Sequence, residues 1–424
     1  MRVAVIGGGL TGLATVHELR ARDIDVCGFE ATDEPGGVIR SRVVDGTVIE
    51  YGPQRLRLHG IVEEYLSTLD LIDELQLAPA DLPIYVYGDG RLSVAPFDPG
   101  SLVRTDLISW PAKARLLLEP LTGPAREDDT VATYFTRKLG PEAYRAGIEP
   151  LFGGLYGSDP AEMPVEFALA PIVEDEVGRG RLSRMILRRL RASRDRPPAA
   201  VPIDGMQTVP QALYDRHNEY ISLGTSVDRI SRTDGGFEVG HASETEAFDS
   251  VIVATDAPAA ANLLGTSFPD IAESLASLNY NRLAMVYLEA SIDHHGLGYQ
   301  VRRDEGLQTL GVSWNGVAFG RGKLHTAFFG GMHAPEMVDR SDSELGEIAV
   351  EEFETVLDVT PEVLAVHRLD PGMPAYDHSW NHTEQLSTPP GLHLIGNYTA
   401  RVGIPGRLRQ ARTVARQLVA ARNH

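Results

Sequence analysis

Val3-Ala4-Val5-Ile6-Gly7-Gly8-Gly9-Leu10-Thr11-Gly12, followed by Leu13-Ala14-Thr15-Val16-His17-Glu18-Leu19, decides the fold. Four successive apolar residues make a strand of the kind buried in a parallel sheet, and the spacing of Leu13, Val16 and Leu19 is helical. The glycines between them satisfy G-x-G-x-x-G, with Gly7 for the tight turn, Gly9 to admit a pyrophosphate and Gly12 for close helix–strand packing. Asp25 to Glu30 reads as the next strand. Glu30 ends it 18 residues after Gly12, where an acid bonds a ribose hydroxyl. The chain therefore opens with a βαβ unit suited to a dinucleotide, with Gly7, Gly9, Leu10, Thr11, Gly12, Glu30 and Ala31 as the residues expected to hold it.

Glu34-Pro35-Gly36-Gly37-Val38-Ile39-Arg40-Ser41 adds a second glycine pair directly after that acid. Backbone amides without Cβ can approach a dinucleotide there, and Arg40 can offset phosphate charge. A nicotinamide enzyme has no need of this second loop. The pair therefore separates flavin from nicotinamide.

Composition bounds the rest. The 424 residues allow two to three domains, and 43% apolar with 23% charged residues is ordinary globular usage. Net charge is −20, and all but Lys113, Lys138 and Lys323 of the 39 basic residues are arginine. Nucleic acid is a poor partner for such a surface, which suits a salt-adapted or GC-rich source. Cys27 is the single cysteine, so a disulfide framework and cysteine-based metal clusters are excluded and a reducing interior is expected. His378, His382 and His393 lack coordination spacing with carboxylate or thiolate support, and no metal site is expected. No run of 18 apolar residues occurs.

Along the chain, helices are expected at Ile61–Leu77, Pro111–Leu118, Val131–Leu139, Arg181–Arg194, Ser343–Leu357 and Gly406–Arg422, and a hairpin at Ile84–Ser93 around Asp89-Gly90. Asp195 to Ala200 reads as a linker. Strands are expected at Tyr220–Leu223, Val227–Ser231, Phe237–Val239, Ser250–Ala254 and Leu392–Ile395, with a strand-rich block from Leu283 to Phe329. Residues 178–196 carry eight arginines against one acid, with Leu182, Met185, Ile186, Leu187 and Leu190 interleaved. Such a basic amphipathic helix can lie on an anionic membrane, steer an acidic substrate, or simply pack on its own acidic domain.

From Glu50-Tyr51-Gly52-Pro53-Gln54-Arg55-Leu56-Arg57 onward the chain resembles one branch of the amine oxidase-like flavoproteins, the protoporphyrinogen and coproporphyrinogen oxidases of haem synthesis. Glu149 to Pro160 is similar to the family's P-x-x-x-G-x-Y-A-G-D-P, and Asp204 to Pro210 to its G-G-M-Q-x-L-P. Phe329-Gly330-Gly331, Met373-Pro374-Ala375-Tyr376, Gly396-Asn397 and Gly403-Ile404-Pro405-Gly406 continue the likeness in the family's order. Three substrate-side stretches depart. The family's G-P-R is Gly52-Pro53-Gln54, its L-P-Q-Y-x-x-G-H is Met373-Pro374-Ala375-Tyr376-Asp377-His378-Ser379-Trp380, and an arginine that some members offer to a substrate propionate is Ile84.

The resemblance implies an α/β fold: a discontinuous, two-layer Rossmann-like FAD domain (1–75, 198–265 and 385–424), a helical, membrane-facing part at 76–197, and a strand-rich α+β substrate part at 266–384. It implies non-covalent FAD, adding Gly36, Gly37, Arg40, Ser41, Gly52, Pro53, Gln54, Val227, Gly396, Asn397, Val402, Gly403 and Ile404 to the cofactor residues. Arg57, Gly154, Gly157 and Tyr376 would meet the substrate. The implied reaction is oxidation of protoporphyrinogen IX or coproporphyrinogen III, with hydride passing to the flavin and oxygen or a quinone-like acceptor reoxidising it. No strong base is then needed, in keeping with a sequence that shows no paired carboxylates or His/Asp constellation. A carotenoid desaturase, an amine oxidase and a non-catalytic flavin-binding homologue are the alternatives. A cytoplasmic protein is expected, with 179–196 as a contact to the inner face of the membrane.

Overall fold

The computed structural model describes residues 1–80, 82–96, 99–169, 197–384, 386–399 and 403–422. The arginine-rich stretch 178–196, its expected helix, and Val402 lie outside the described residues. Arg2–Ile6 (β1), Leu10–Arg20 (α1) and Asp25–Phe29 (β2) form the opening βαβ unit. β1 is the centre of a five-stranded parallel sheet in the order Ile221–Ser222, β2, β1, Ser250–Val253, Leu392–Leu394. The layer thus gathers strands from both ends of the chain.

On one face, Leu13, Leu19, Ala411, Ala415 and Leu418 bring α1 and the closing helix Gly403–Arg422 into one core with Val3 and Val5. On the other, Ala4, Ile6 and Val251 meet Ile230, Phe237 and Val239 of a meander formed by Val227–Thr233, Gly236–His241 and Glu244–Phe248. The sheet is therefore the middle of three layers, where two were expected. The alternate apolar residues of the meander supply the extra cover, since a parallel sheet must be buried on both sides.

A hairpin of Ser41–Val44 (β3) and Thr47–Glu50 (β4) leads out of this layer, and Leu56–Arg57 (β5) pairs with Ala199–Pro202. A seven-stranded sheet lies beyond it in the order Glu362–Pro374, Tyr280–Glu289, Leu324–Gly330, Gly311–Ser313, Gly298–Val301, Ile84–Gly88, Arg91–Val94. Strand alternation divides its faces. Ala284, Val286 and Leu288 pack on Leu345, Ala349 and Phe353 of the helix Asp342–Leu357, whereas Met285 and Tyr287 turn the other way onto Ile49 of β4.

Val131–Leu139 is helical as its periodicity indicates, capped by Thr130. The hairpin forms at Ile84–Gly88 and Arg91–Val94, with Asp89 and Gly90 both at positive φ, as a two-residue primed turn requires. Other expectations are corrected. The helix from Ile61 stops at Thr68: Asp70 turns left-handed, and Leu75–Leu77 is a strand. Ala199 and Ala200, expected in a linker, are buried in a strand, because small apolar side chains let it thread between Leu56 and Leu77. The 13-residue strand Glu362–Pro374 and the helices Ala257–Leu264 and Pro269–Ala276 carried no signal strong enough to be expected.

Candidate functional site

The glycines of the first turn divide by what surrounds them. A Cβ on Gly12 would collide with the carbonyl oxygen of Gly7, so Gly12 is demanded by the packing of α1 on β1. Gly7, at φ +109°, makes the turn itself. Gly9 is different: its φ of −70° suits any residue, and a Cβ there would find only the Cα of Gly37, at 4.0 Å. Among the described residues, nothing needs glycine at this position. The space above it is bounded by Gly36 and Gly37, held over the loop by the Gly36 N–H donating to the Gly8 carbonyl at 2.8 Å.

The N-terminus of α1 faces that space, with no side-chain cap and no acid in its first turn. Its free N–H groups and helix dipole favour an anion. Leu10 and Thr11 are buried in the same turn, Leu10 packing into the core and Thr11 receiving the Thr15 hydroxyl on its carbonyl at 2.7 Å. Arg40 bonds the Thr32 hydroxyl at 3.2 Å, and its Nε is buried without a partner among the described residues. An open glycine cradle, an uncapped helix end and an orphaned guanidinium N–H together fit the pyrophosphate of a dinucleotide.

Glu30 accepts from the Gly8 N–H at 2.5 Å through one oxygen, and from the N–H and hydroxyl of Thr32 at 2.9 and 2.8 Å through the other. A carboxylate offers about four acceptor positions, so one stays open for a ribose hydroxyl. Ala31 is exposed beside it. The Thr225 N–H donates to the Glu30 carbonyl at 2.8 Å, which sets Val227 next to this corner. At the other end, the Asn397 side chain accepts from the Tyr280 hydroxyl at 3.0 Å, and Arg407 donates to the Gly396 carbonyl, with its guanidinium pulled down to about 10 by burial. Gly403 opens the closing helix where an added Cβ would meet none of the described residues within 4 Å, and Ile404 packs half-buried on the core.

Several expected cofactor residues are held by the protein itself. Ser41 donates its hydroxyl to Glu50 at 2.6 Å. Gly52 lies so close to the Val38 carbonyl that no Cβ fits, and Pro53 follows it in the same turn. The Gln54 amide donates to the carbonyls of Glu50 and Gly52 at 3.0 and 2.9 Å, and its oxygen accepts from Asn315 and Thr326 at 2.8 and 3.2 Å. Glu50, buried, also accepts from Arg321 at 2.6 Å and from the Met206 N–H at 3.1 Å. These bonds fix the seam between the dinucleotide layer and the seven-stranded sheet.

Across that seam the sheet presents one row of directly opposed residues: Val86, Gln300, Gly311, Phe328, Met285 and His367. Opposed residues share a face, so the row runs from Met285 and His367, which lie against Ile49 and Tyr51, to Gln300, which faces Gly154. None of its members is acidic. His367 stacks on Tyr51 with ring centroids 3.9 Å apart, and burial, with Arg368 and Arg40 nearby, holds its ring below the usual histidine range and neutral. Sequence reading missed this row because only strand register assembles it.

Of the expected substrate residues, Gly154, Gly157 and Tyr376 gather around the helix Glu149–Tyr156, whose Tyr156 ring lies 5.0 Å from that of Tyr376, and Arg57 lies apart. Gly157, at φ +61°, ends the helix Glu149–Tyr156 and packs its carbonyl against Gly331. Gly154 of that helix faces the Gln300 side chain, leaving no room for a Cβ unless the amide moves. Tyr376 is buried, stacked on Trp380 at 4.9 Å. Arg57 is exposed and donates to the Pro197 carbonyl at 3.1 Å. Among the described residues, no helix is long and apolar enough to cross a membrane.

The family model described as flavin containing amine oxidoreductase matches residues 10–419. The chain is 26% identical to coproporphyrinogen III oxidase of Staphylococcus aureus over 462 aligned positions, covering 99% of each. It is 25% identical to a chloroplastic protoporphyrinogen oxidase of spinach, covering 94% of this chain and 81% of that one. A solved Exiguobacterium chain, provisionally named protoporphyrinogen oxidase, shares the fold with a TM-score of 0.81 at 23% identity, covering 98% of each.

Proposed function

This chain belongs to the flavin containing amine oxidoreductases, and we propose that within them it oxidises a porphyrinogen to the porphyrin. It is an FAD-dependent oxidoreductase; bound FAD supplies the two-electron acceptor, and the residues around Gly9, Glu30, Gly37 and Arg40 would hold it. End-to-end similarity to a coproporphyrinogen III oxidase, over 99% of both chains, carries the finer reading. The neutral row of Gln300, Phe328, Met285 and His367 supports it.

A porphyrinogen releases hydride from an sp³ meso carbon while the pyrrole nitrogens stabilise the resulting cation. The site must therefore hold a broad apolar ring, keep water away and stay free of competing charge. Phe328, half-exposed, gives the apolar contact, and Met285, buried against Ile49, backs the row. His367, kept neutral, adds no like charge to repel the cation. Glu50 is neutralised by Arg321 before it can draw a proton or the ring toward it. No general base is asked of the protein at the reacting carbon, because hydride loss leaves a cation whose pyrrole N–H is acidic enough to give its proton up to solvent at the open edge of the ring.

The test is aerobic turnover. Coproporphyrinogen III and protoporphyrinogen IX, offered separately to the purified protein, should give porphyrin fluorescence above the rate of non-enzymatic oxidation for at least one of the two. Background rates with both, alongside turnover of a primary amine or a polyene, would place the chain elsewhere in the family.

A further inference from the structure

Arg55 has a half-buried side chain and, among the described residues, neither a hydrogen bond nor an ion pair. Both chain neighbours are fixed. Gln54 is bonded to Asn315 and Thr326 on the seven-stranded sheet, and Leu56 is buried in the core of the dinucleotide layer. Arg55 is thereby anchored at the seam, where the neutral row meets the Gly52 turn. Its nearest influential charge is another cation, Arg57, and with burial this pulls the guanidinium down to about 10, still charged at neutral pH.

A cation half withdrawn from water loses part of its solvation, and no described residue offers it a counter-charge in return. Other arginines around it are satisfied: Arg57 by the Pro197 carbonyl, Arg321 by Glu50 and the Pro202 carbonyl. The guanidinium fork matches a carboxylate in two parallel hydrogen bonds.

We propose that Arg55 receives a carboxylate arm of the substrate at the rim of the neutral row. The inference rests on the porphyrinogen reading and deepens it: the apolar row takes the ring, and Arg55 takes one of its acidic side chains. Ile84, on the strand that ends the row, carries no charge, and among the described residues Arg55 is a cation of this seam that no carboxylate answers.

Arg55→Met and Arg55→Lys test it in the FAD-loaded enzyme. Arg55→Met should bind FAD normally and melt no lower than the parent, since it removes a half-buried charge without an ion pair. With coproporphyrinogen III its kcat/KM should fall about 10–100-fold, carried by KM, which corresponds to the loss of one charge-assisted contact. With the tetramethyl ester, parent and variant should be alike. Arg55→Lys should recover part of the loss, having the charge without the fork.

Unchanged KM for the free acid, or equal losses for acid and ester, would overturn the assignment. Loss of FAD in Arg55→Met would overturn it too, by giving the arginine to the cofactor. Should the parent oxidise neither porphyrinogen, the functional reading fails on its own, and titration of the flavin absorption with benzoate decides Arg55 separately. Benzoate affinity about tenfold weaker in Arg55→Met sustains a carboxylate site; equal affinity, or no binding by the parent, ends it.

Discussion

Gly9→Val yields a folded, colourless protein. The backbone at Gly9 already has a conformation open to any residue, and a Cβ there meets only Gly37 at 4.0 Å, so the apoprotein accommodates the change. The branched side chain fills the space that the pyrophosphate needs, between the N-terminus of α1 and the second glycine pair. FAD occupancy, measured by absorbance after gel filtration, should fall below about a tenth of the parent's while far-ultraviolet dichroism is kept, a loss of roughly 1.4 kcal/mol or more in cofactor affinity. Gly12→Ala is the contrasting case. Its Cβ would strike the Gly7 carbonyl, so it should lose the fold along with the cofactor. A yellow, fully loaded Gly9→Val would mean that the cradle holds something other than the dinucleotide.

Arg321→Met should be the most damaging substitution away from the glycine loop. Arg321 reaches from the turn before the strand Leu324–Gly330 to Glu50 of β4, and both side chains are buried. Removing the cation leaves a carboxylate in a low dielectric with only the Ser41 hydroxyl and the Met206 N–H to stabilise it. Breaking a buried pair from one side costs about 3–5 kcal/mol. The variant should melt several degrees lower. Adding Glu50→Gln should restore much of the loss, because the pair is then removed from both sides. Equal melting of parent and Arg321→Met would show that the seam does not depend on this pair.

What the sequence disclosed was local. Gly7, Gly9, Gly12 and Glu30 lie within one βαβ unit, where turn chemistry and spacing are written in consecutive residues, and the structure places them as that spacing requires. The same holds for the Asp89-Gly90 turn and the Thr130-capped helix. The third layer over the parallel sheet escaped notice, since a meander's alternating residues do not say what they cover. The neutral row was invisible for a related reason: Gln300, Phe328, Met285 and His367 come from four strands, and only their register aligns them. Gly157 and Tyr376 show the converse. Both stand out in the sequence, and the structure shows the packing each also carries, a left-handed helix end on Gly331 and a buried stack on Trp380. Arg55 passed unremarked beside Gln54, because an arginine in a turn looks ordinary until its surroundings show that nothing answers its charge.

The account rests on direct reduction of the protein's own flavin by a porphyrinogen. Mixing the FAD-loaded enzyme anaerobically with a slight excess of coproporphyrinogen III, and separately of protoporphyrinogen IX, isolates that step from any later acceptor. With at least one of them the oxidised-flavin absorption should bleach in a single fast phase, with one two-electron equivalent of porphyrinogen consumed per flavin, and return when oxygen is admitted. A flavin that stays oxidised with both porphyrinogens, yet bleaches with a primary amine, would contradict the account.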